Sequence, residues 1–276
     1  TWPGCAPVED SSGIVQTYSS VTEAGRAHSH LGVQSVRLGP MTLAAFSNPG
    51  RGRTLHVGFH GALDRGKYSL PRFERRQGFT EAGWPCLLFA DPTLDLEPAL
   101  TLGWYLGTLD IDVQSEIARF IQFRMSAAGY DRVVLSGSSG GGFAALQIAS
   151  MIPNCLAVVF NPQTNIREYY PRFGKFALET VYPDEHVFRP EDDLRIDVVA
   201  RYRSERPSNR VYYVQNTGDA HHDVRHRKPF IKGLRDVERT QIHTVFEDWG
   251  SGHRTPNNDV YMKHVAVAQD FDWRQT

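Results

Sequence analysis

The sequence predicts an α/β fold, a mostly parallel central sheet flanked by helices. Two observations carry this. Short runs rich in Val, Leu, Ile, Phe and Tyr alternate along the chain with segments of helical periodicity. No internal repeat and no Gly/Ser- or Pro-rich linker interrupts that alternation, so the 276 residues read as a single domain, 1–276.

The runs at 41–46 (MTLAAF) and 54–59 (TLHVGF) flank the turn Ser47-Asn48-Pro49-Gly50, which predicts an antiparallel pair. Five short apolar runs follow, at 86–90, 133–136, 156–160, 211–214 and 242–246, and they suit buried strands. Helices are expected between them. The segment 112–128 places Val113, Ile117, Phe120, Ile121 and Met125 on one face and ends at Gly129. A second helix is expected over 141–151, a third over 229–237 opening on Pro229, and a fourth over 258–267 after Pro256. The stretch 163–209 is long for a connection between strands and predicts a helical cap insertion, with a solvated loop at 183–193.

Composition narrows the class. Thirty Lys+Arg against 31 Asp+Glu leave a formal charge of −1, which argues against nucleic acid or an anionic membrane as the main partner. No apolar run approaches the roughly 18 residues of a membrane helix, so no membrane insertion is expected. Three cysteines are too few for a disulfide framework; Cys86 and Cys155 sit in apolar runs and read as buried small hydrophobes, and Cys5 has no evident partner. The first 30 residues contain no apolar signal core, so a cytoplasmic location is expected. Oligomeric state is not legible.

Chemistry is concentrated at 133–142, Val-Val-Leu-Ser-Gly-Ser-Ser-Gly-Gly-Gly. It contains Gly-x-Ser-x-Gly centred on Ser139, after an apolar strand and before a helical pattern. A sharp strand-to-helix turn strains its central residue, and Gly137 and Gly141 let it close. The serine oxygen then projects beside a helix N-terminus, which favours developing negative charge. A phosphate loop would need a Lys-Ser/Thr or a spaced Gly-x-Gly-x-x-Gly, and both are lacking. From about Met41 onward the chain resembles the α/β-hydrolase superfamily of serine hydrolases, whose triad order is nucleophile, acid, histidine.

That resemblance makes the turn at Ser139 a nucleophile elbow and implies an acid after the second strand beyond the strand that leads into it. Asp219, following 211–214, fits that place; Asp223 is the alternative. It also implies a histidine after the last strand, which is His253 in the Gly-rich loop beyond 242–246. The oxyanion hole would take one amide from Gly140 and one from Gly61 or Ala62, in the His-Gly-Ala turn after 54–59, with His60 in support. Trp104, Tyr105 and Tyr169 could line a substrate pocket, and Arg254 could meet an anionic group. His222 and His226, four apart, invite a metal; a solvated, partly basic helix start is the simpler expectation, with neither metal nor cofactor.

A second resemblance rests on Phe89-Ala90-Asp91-Pro92-Thr93, Asn161-Pro162-Gln163-Thr164, Tyr213-Val214-Gln215-Asn216, His221-His222 and Lys228-Pro229-Phe230. These look like α/β-hydrolase-type proteins associated with bacterial surface-polysaccharide production, and imply an acylated glycan or its precursor as substrate. The expected activity is carboxylic ester hydrolysis on a small-molecule or glycan ester, through a Ser-His-Asp triad and an acyl-enzyme. Acyl transfer to a glycan, a serine peptidase, and a non-catalytic glycan-binding or scaffold protein on the same fold are the alternatives.

Overall fold

The structure, a computed structural model, describes residues 15–183, 192–239 and 241–270. Its strands are β1 (Val15–Tyr18), β2 (Gly32–Leu38), β3 (Met41–Asn48), β4 (Thr54–Phe59), β5 (Cys86–Phe89), β6 (Arg132–Ser138), β7 (Leu156–Phe160), β8 (Arg210–Asn216) and β9 (Ile242–Glu247). They form one nine-stranded sheet in the order β1-β2-β3-β5-β4-β6-β7-β8-β9. From β5 through β9 every neighbouring pair is parallel; β3 runs antiparallel to both β2 and β5.

One expectation is corrected here. The runs 41–46 and 54–59 do point in opposite directions but do not pair. β5 lies between them, with Phe89 beside Ala45 on one side and Phe59 on the other. Its four residues are all buried and supply backbone partners on both edges, which a hairpin turn cannot outcompete. The antiparallel partners of β3 are β5 and, on its other edge, β2, whose adjacent polar residues Gln34 and Ser35 hide it in the sequence.

Strand periodicity divides the core. Leu55, Val57, Phe59, Leu87, Phe89, Leu135 and Val159 point to one face, under the helices Val113–Ala128 and Gly140–Ala149. Cys86, Leu88, Val134, Val158, Phe160 and Val214 point to the other, packed against Tyr261 and Val265 of the helix Asn258–Gln269. Helices on both faces leave the central strands mostly apolar, with His56 of β4 and Ser136 of β6 buried among them; β9, expected as a buried strand, lies at the sheet edge and is only half-buried. The helix Val113–Ala128 starts at Asp112, whose carboxylate caps Ser115 N, and stops at left-handed Gly129, where the sequence places its ends.

Residues 163–209 connect β7 to β8 and carry the helices Pro171–Val181, Asp192–Ile196 and Val198–Glu205. The last two are fastened to the body: Ile196, Val198 and Tyr202 are buried, and Arg195 donates to the carbonyl oxygens of Leu106 and Thr108. The expected solvated loop falls largely on 184–191, outside the described residues. Among the described residues, no helix is long and apolar enough to cross a membrane.

Candidate active site

The turn between β6 and its helix sets the site. Ser139 has φ 58° and ψ −121°, a left-handed φ that a non-glycine residue adopts only under constraint. The constraint is visible: Ser139 N–H donates to Phe160 O at 3.0 Å, and Ser139 O accepts from Phe143 N at 3.0 Å. The turn also demands glycine around it. A Cβ on Gly137 would lie 2.3 Å from the Gly141 carbonyl, and one on Gly141 would lie 2.3 Å from Phe59 O.

The sequence names Ser139, Asp219 and His253, and the fold brings them together. Ser139 Oγ lies 2.9 Å from His253 Nε2. His253 Nδ1 lies 2.8 Å from Asp219 Oδ2. Ser138 faces elsewhere, its buried hydroxyl without a hydrogen-bond partner among the described residues. Asp223, the alternative acid, is occupied by Arg227 at 2.6 Å and Lys228 at 2.7 Å.

The acid and histidine loops are stitched to each other. Asn216, the last residue of β8, donates from Nδ2 to Gly250 O at 2.8 Å and accepts at Oδ1 from Trp249 N at 3.2 Å. Gly252 N–H donates to Gly218 O at 2.8 Å. Gly218 has no room for a side chain, since a Cβ there would lie 2.3 Å from Gly250 O. His253 is thus delivered to Asp219 by backbone contacts rather than by its own side chain alone.

His60 supports the turn after β4. Its Nε2 accepts from Asp91 N–H at 2.9 Å, so the ring proton sits on Nδ1 and donates to Gly61 O at 2.8 Å. Gly61 lies against the elbow, where a Cβ would be 3.5 Å from Ser139 Cβ and 3.6 Å from Gly140 N. Ala62 follows it and is exposed. Gly140 opens a helix, so its N–H has no intrahelical acceptor.

Two expected pocket residues are corrected. Trp104 and Tyr105 are fully buried and cannot meet a substrate directly. Tyr105 OH accepts from His60 N at 2.9 Å and donates to Phe89 O at 3.0 Å; Trp104 Nε1 donates to Gln163 Oε1 at 3.2 Å. Both adopt positive φ, 51° and 57°, in a segment where Asp91 Oδ2 accepts from Tyr105 N at 3.1 Å. Tyr169 is 8% exposed, with its ring 6.0 Å from Trp104 and 6.5 Å from His253. Arg254 is exposed beside His253, its Nε donating to Ser251 O at 3.1 Å.

The histidine segment differs most from expectation. His222 and His226 are wholly buried rather than solvated. They do share a face, with ring centroids 5.1 Å apart. His222 stacks on His253 at 3.8 Å and 11° between ring planes. Its Nδ1 faces both oxygens of Asp219, 3.1 Å from Oδ1 and 3.0 Å from Oδ2, and its Nε2 lies 2.9 Å from Gln163 Nε2. Asp219, His222 and His253 are close enough to suggest a metal trio. Near-parallel rings 3.8 Å apart, however, aim their in-plane lone pairs along parallel lines, and one ion at a usual Zn–N distance of about 2.0–2.1 Å cannot lie in both planes.

Burial opposes the charge on Asp219, but hydrogen bonds from His222 and His253 outweigh it and hold the carboxyl well below the usual carboxylate range. Burial pushes His222 down to about 4, with His253 and His221 adding to the fall and Asp219 resisting it. Burial pushes His226 down to about 2. Burial also raises the Tyr169 phenol to about 12, helped by Tyr170 and Asp219, so it stays protonated near neutrality.

Sequence reasoning missed Gln163 as a neighbour of the serine, His222 as a second histidine on Asp219, and the pair Asn161 and Asn216. Asn161 Nδ2 donates to Asp219 Oδ2 at 3.0 Å, and its Oδ1 accepts from Asn216 N at 2.7 Å. A signal existed. Asn-Pro-Gln and Gln-Asn each end a run of buried apolar residues, at the sheet edge where the elbow lies.

Comparison with solved structures places this architecture. The capsule O-acetyltransferase of Neisseria meningitidis serogroup A superposes with a TM-score of 0.63 at 17% identity, over 86% of this chain and 92% of that one. An S-formylglutathione hydrolase from Agrobacterium tumefaciens gives 0.51 at 17% identity, over 86% and 91%. The chain has the α/β-hydrolase fold. The same fold aligns with a chain of the glycosylation-associated Gap123 complex from Streptococcus agalactiae, TM-score 0.62 and 16% identity, over 88% of this chain and 47% of that one. No protein-family model matches the sequence, and a search of curated proteins returns no match.

Proposed function

We propose that this α/β-hydrolase-fold protein catalyses serine-dependent acyl transfer, cleaving a carboxylic ester through an acyl-enzyme on Ser139. The observation that carries the reading is the unbroken relay from Ser139 Oγ to His253 Nε2 at 2.9 Å and from His253 Nδ1 to Asp219 Oδ2 at 2.8 Å. His253 takes the hydroxyl proton as Oγ attacks the carbonyl carbon and the carbonyl π pair moves to oxygen. The Gly140 amide, with an amide of the Gly61–Ala62 turn, stabilises that oxyanion. Collapse expels the alcohol, which leaves with the proton from His253. Water then repeats the sequence on the acyl-enzyme and releases the acid. Asp219 holds His253 with its proton on Nδ1 and stabilises the imidazolium.

A second reading, O-acyl transfer to a sugar hydroxyl, is supported by the superposition with the capsule O-acetyltransferase over most of both chains. The same triad serves, with a glycan hydroxyl in place of water. The position of Tyr169, with its ring beside His253 and its neighbour Tyr170 40% exposed, suits a sugar face at the mouth of the site. The experiment for both is labelling by a fluorophosphonate, in wild type, Ser139→Ala and His253→Ala. Turnover of p-nitrophenyl esters of rising chain length follows, with and without a polysaccharide acceptor. Loss of labelling in both variants supports the nucleophile and its base. Acceptor-dependent product would select transfer, and acceptor-independent acid release would select hydrolysis. A folded wild type that is inert to every probe would favour the non-catalytic alternative.

A further inference from the structure

The acyl-transfer reading uses Asp219, His253 and Ser139, yet the structure closes those three into a larger ring through His222 and Gln163. Gln163, which follows β7 by three residues, lies 2.9 Å through Nε2 from Ser139 Oγ and 2.9 Å from His222 Nε2. Both residues are fully buried. The ring therefore has to be satisfied internally.

Its proton positions follow from a donor that has no choice. Trp104 Nε1–H can only donate, so the Gln163 atom 3.2 Å away is Oε1. Gln163 Nε2 then faces both Ser139 and His222 and offers one hydrogen to each. His222 Nε2 must accept, which places its own proton on Nδ1, donated to Asp219 Oδ1 at 3.1 Å. Ser139 Oγ accepts from Gln163, which leaves its hydrogen for His253 Nε2 at 2.9 Å. His253 in turn donates from Nδ1 to Asp219 Oδ2. Each polar hydrogen of this circuit has an acceptor in it.

We propose that Gln163 and His222 are positioning residues of the Ser139 site. Gln163 pins the Ser139 hydroxyl in the rotamer that gives its proton to His253, and neutral His222 orients the Gln163 amide while sharing Asp219 with His253. The proposal rests on the reading of Ser139 as nucleophile. Through the cycle the Gln163 N–H stays on Oγ. It bonds the hydroxyl before attack and the ester oxygen in the acyl-enzyme. It bonds Oγ again as that oxygen is expelled with the proton returned from His253.

The neutral state of His222 matters on both sides. A proton on Nε2 would set two N–H groups against each other across 2.9 Å and release Gln163. It would also lay a cation on the face of His253, 3.8 Å away, where catalysis needs to form an imidazolium. The groups around His222 are the Asp219 carboxylate, the imidazoles of His221, His226 and His253, and the Tyr169 ring, beside Gln163. Three imidazoles and burial against one carboxylate keep it neutral. Asp219 meanwhile divides its charge between two imidazoles, so His222 moderates how strongly Asp219 holds the His253 proton.

The test combines kinetics of p-nitrophenyl acetate hydrolysis with long-range proton–nitrogen NMR of the imidazoles, on the full chain. In wild type and in Ser139→Ala, His222 is expected neutral with its proton on Nδ1 from pH 8 down to about pH 5. Gln163→Met keeps the shape but removes the donor. It should lower kcat by up to about 100-fold with KM nearly unchanged, the size of effect that misplacement of a reacting group produces. Should the Met variant fail to fold, Gln163→Glu preserves the outline and turns the donor into an acceptor, which draws the serine hydrogen away from His253 and should also depress kcat. His222→Leu should raise the acid limb of the kcat/KM profile by about half a pH unit or more, because Asp219 then bears on His253 alone. Gln163→Met should leave that limb in place. A merely structural role would lower activity without this split. A fluorophosphonate-reactive wild type whose variants keep both kcat and the acid limb overturns this proposal alone, as does an Nε2–H tautomer at His222. An unreactive wild type with His222 in the expected tautomer overturns the acyl-transfer reading and this proposal with it.

Discussion

Asp219→Asn should cost far more than the loss of a charge, because the structure dictates how the new amide must sit. Asp219 Oδ1 accepts from the backbone N–H of His222 at 3.1 Å, a donor that cannot change sense. The oxygen of the substituted amide therefore takes that side, and its NH₂ replaces Oδ2. There it meets His253 Nδ1, the Nδ2 of Asn161 and His222 Nδ1, which lay 2.8 Å, 3.0 Å and 3.0 Å from Oδ2; the His222 hydrogen, 3.1 Å from Oδ1 as well, can stay on the oxygen side. Asn161 cannot turn over, since its Oδ1 accepts from Asn216 N at 2.7 Å. His253 has to yield by moving its proton to Nε2, and Nε2–H cannot accept the serine proton. The comparable substitution in a Ser-His-Asp protease lowers kcat about 10⁴-fold through the same wrong tautomer. That is about 5.5 kcal/mol of transition-state stabilisation. The assay is kcat on p-nitrophenyl acetate beside the rate of fluorophosphonate labelling, with imidazole NMR to read the His253 proton. A fall of less than about tenfold, or an Nδ1–H tautomer retained in the variant, would refute the reasoning.

Other consequences are open to measurement. Buried His222 and His226, with His56 in the core pushed down to about 4 by burial, hold folded pKa values below the unfolded 6.5. Between pH 6.5 and about 4 the unfolded chain binds protons that the folded one refuses, so stability is full above pH 6.5 and falls as pH drops through this window. The loss is on the order of 3 kcal/mol for each such histidine. Urea midpoints measured from pH 7.5 to 4.5 should decline, and a flat profile would contradict the buried neutral assignment. Gly137→Ala should prevent soluble folding, since its Cβ would lie 2.3 Å from the Gly141 carbonyl. Gly129→Ala meets nothing within 4 Å, so it should cost only the left-handed backbone penalty of about 1–2 kcal/mol, read from the shift in Tm.

How much of this was legible depends on whether a residue's role is local. The elbow could be read because Gly137, Ser139 and Gly141 encode a turn whose sterics are confined to a few residues. Strands β4 to β8 could be read because burial on both faces leaves them rich in apolar residues, whereas β9, an edge strand with no fully buried residue, was legible only through Ile242, Val245 and Phe246. β2 could not, since Gln34 is buried for a long-range reason. With the carbonyl oxygens of Ala24 and Gly25, it receives the guanidinium of buried Arg124. The candidate site divides in the same way. Asp219 and His253 follow strand ends whose order places them. His222 and Gln163 sit 59 residues apart in sequence and meet only in the folded chain, so Asn-Pro-Gln marks a strand end near the site but does not name its partner. Trp104 and Tyr105 mislead for a related reason. An aromatic pair in a loop reads as pocket lining, whereas here Asp91 turns the loop inward and both rings become supports.

The central claim is that Ser139, and not its neighbour Ser138, is an activated nucleophile. It is tested most directly by reacting the folded protein with a fluorophosphonate and locating the adduct by peptide mass spectrometry. The account predicts one phosphonylated residue, Ser139, formed in wild type and abolished by His253→Ala. An adduct on Ser138, or a reaction at Ser139 that proceeds at the same rate without His253, would contradict it.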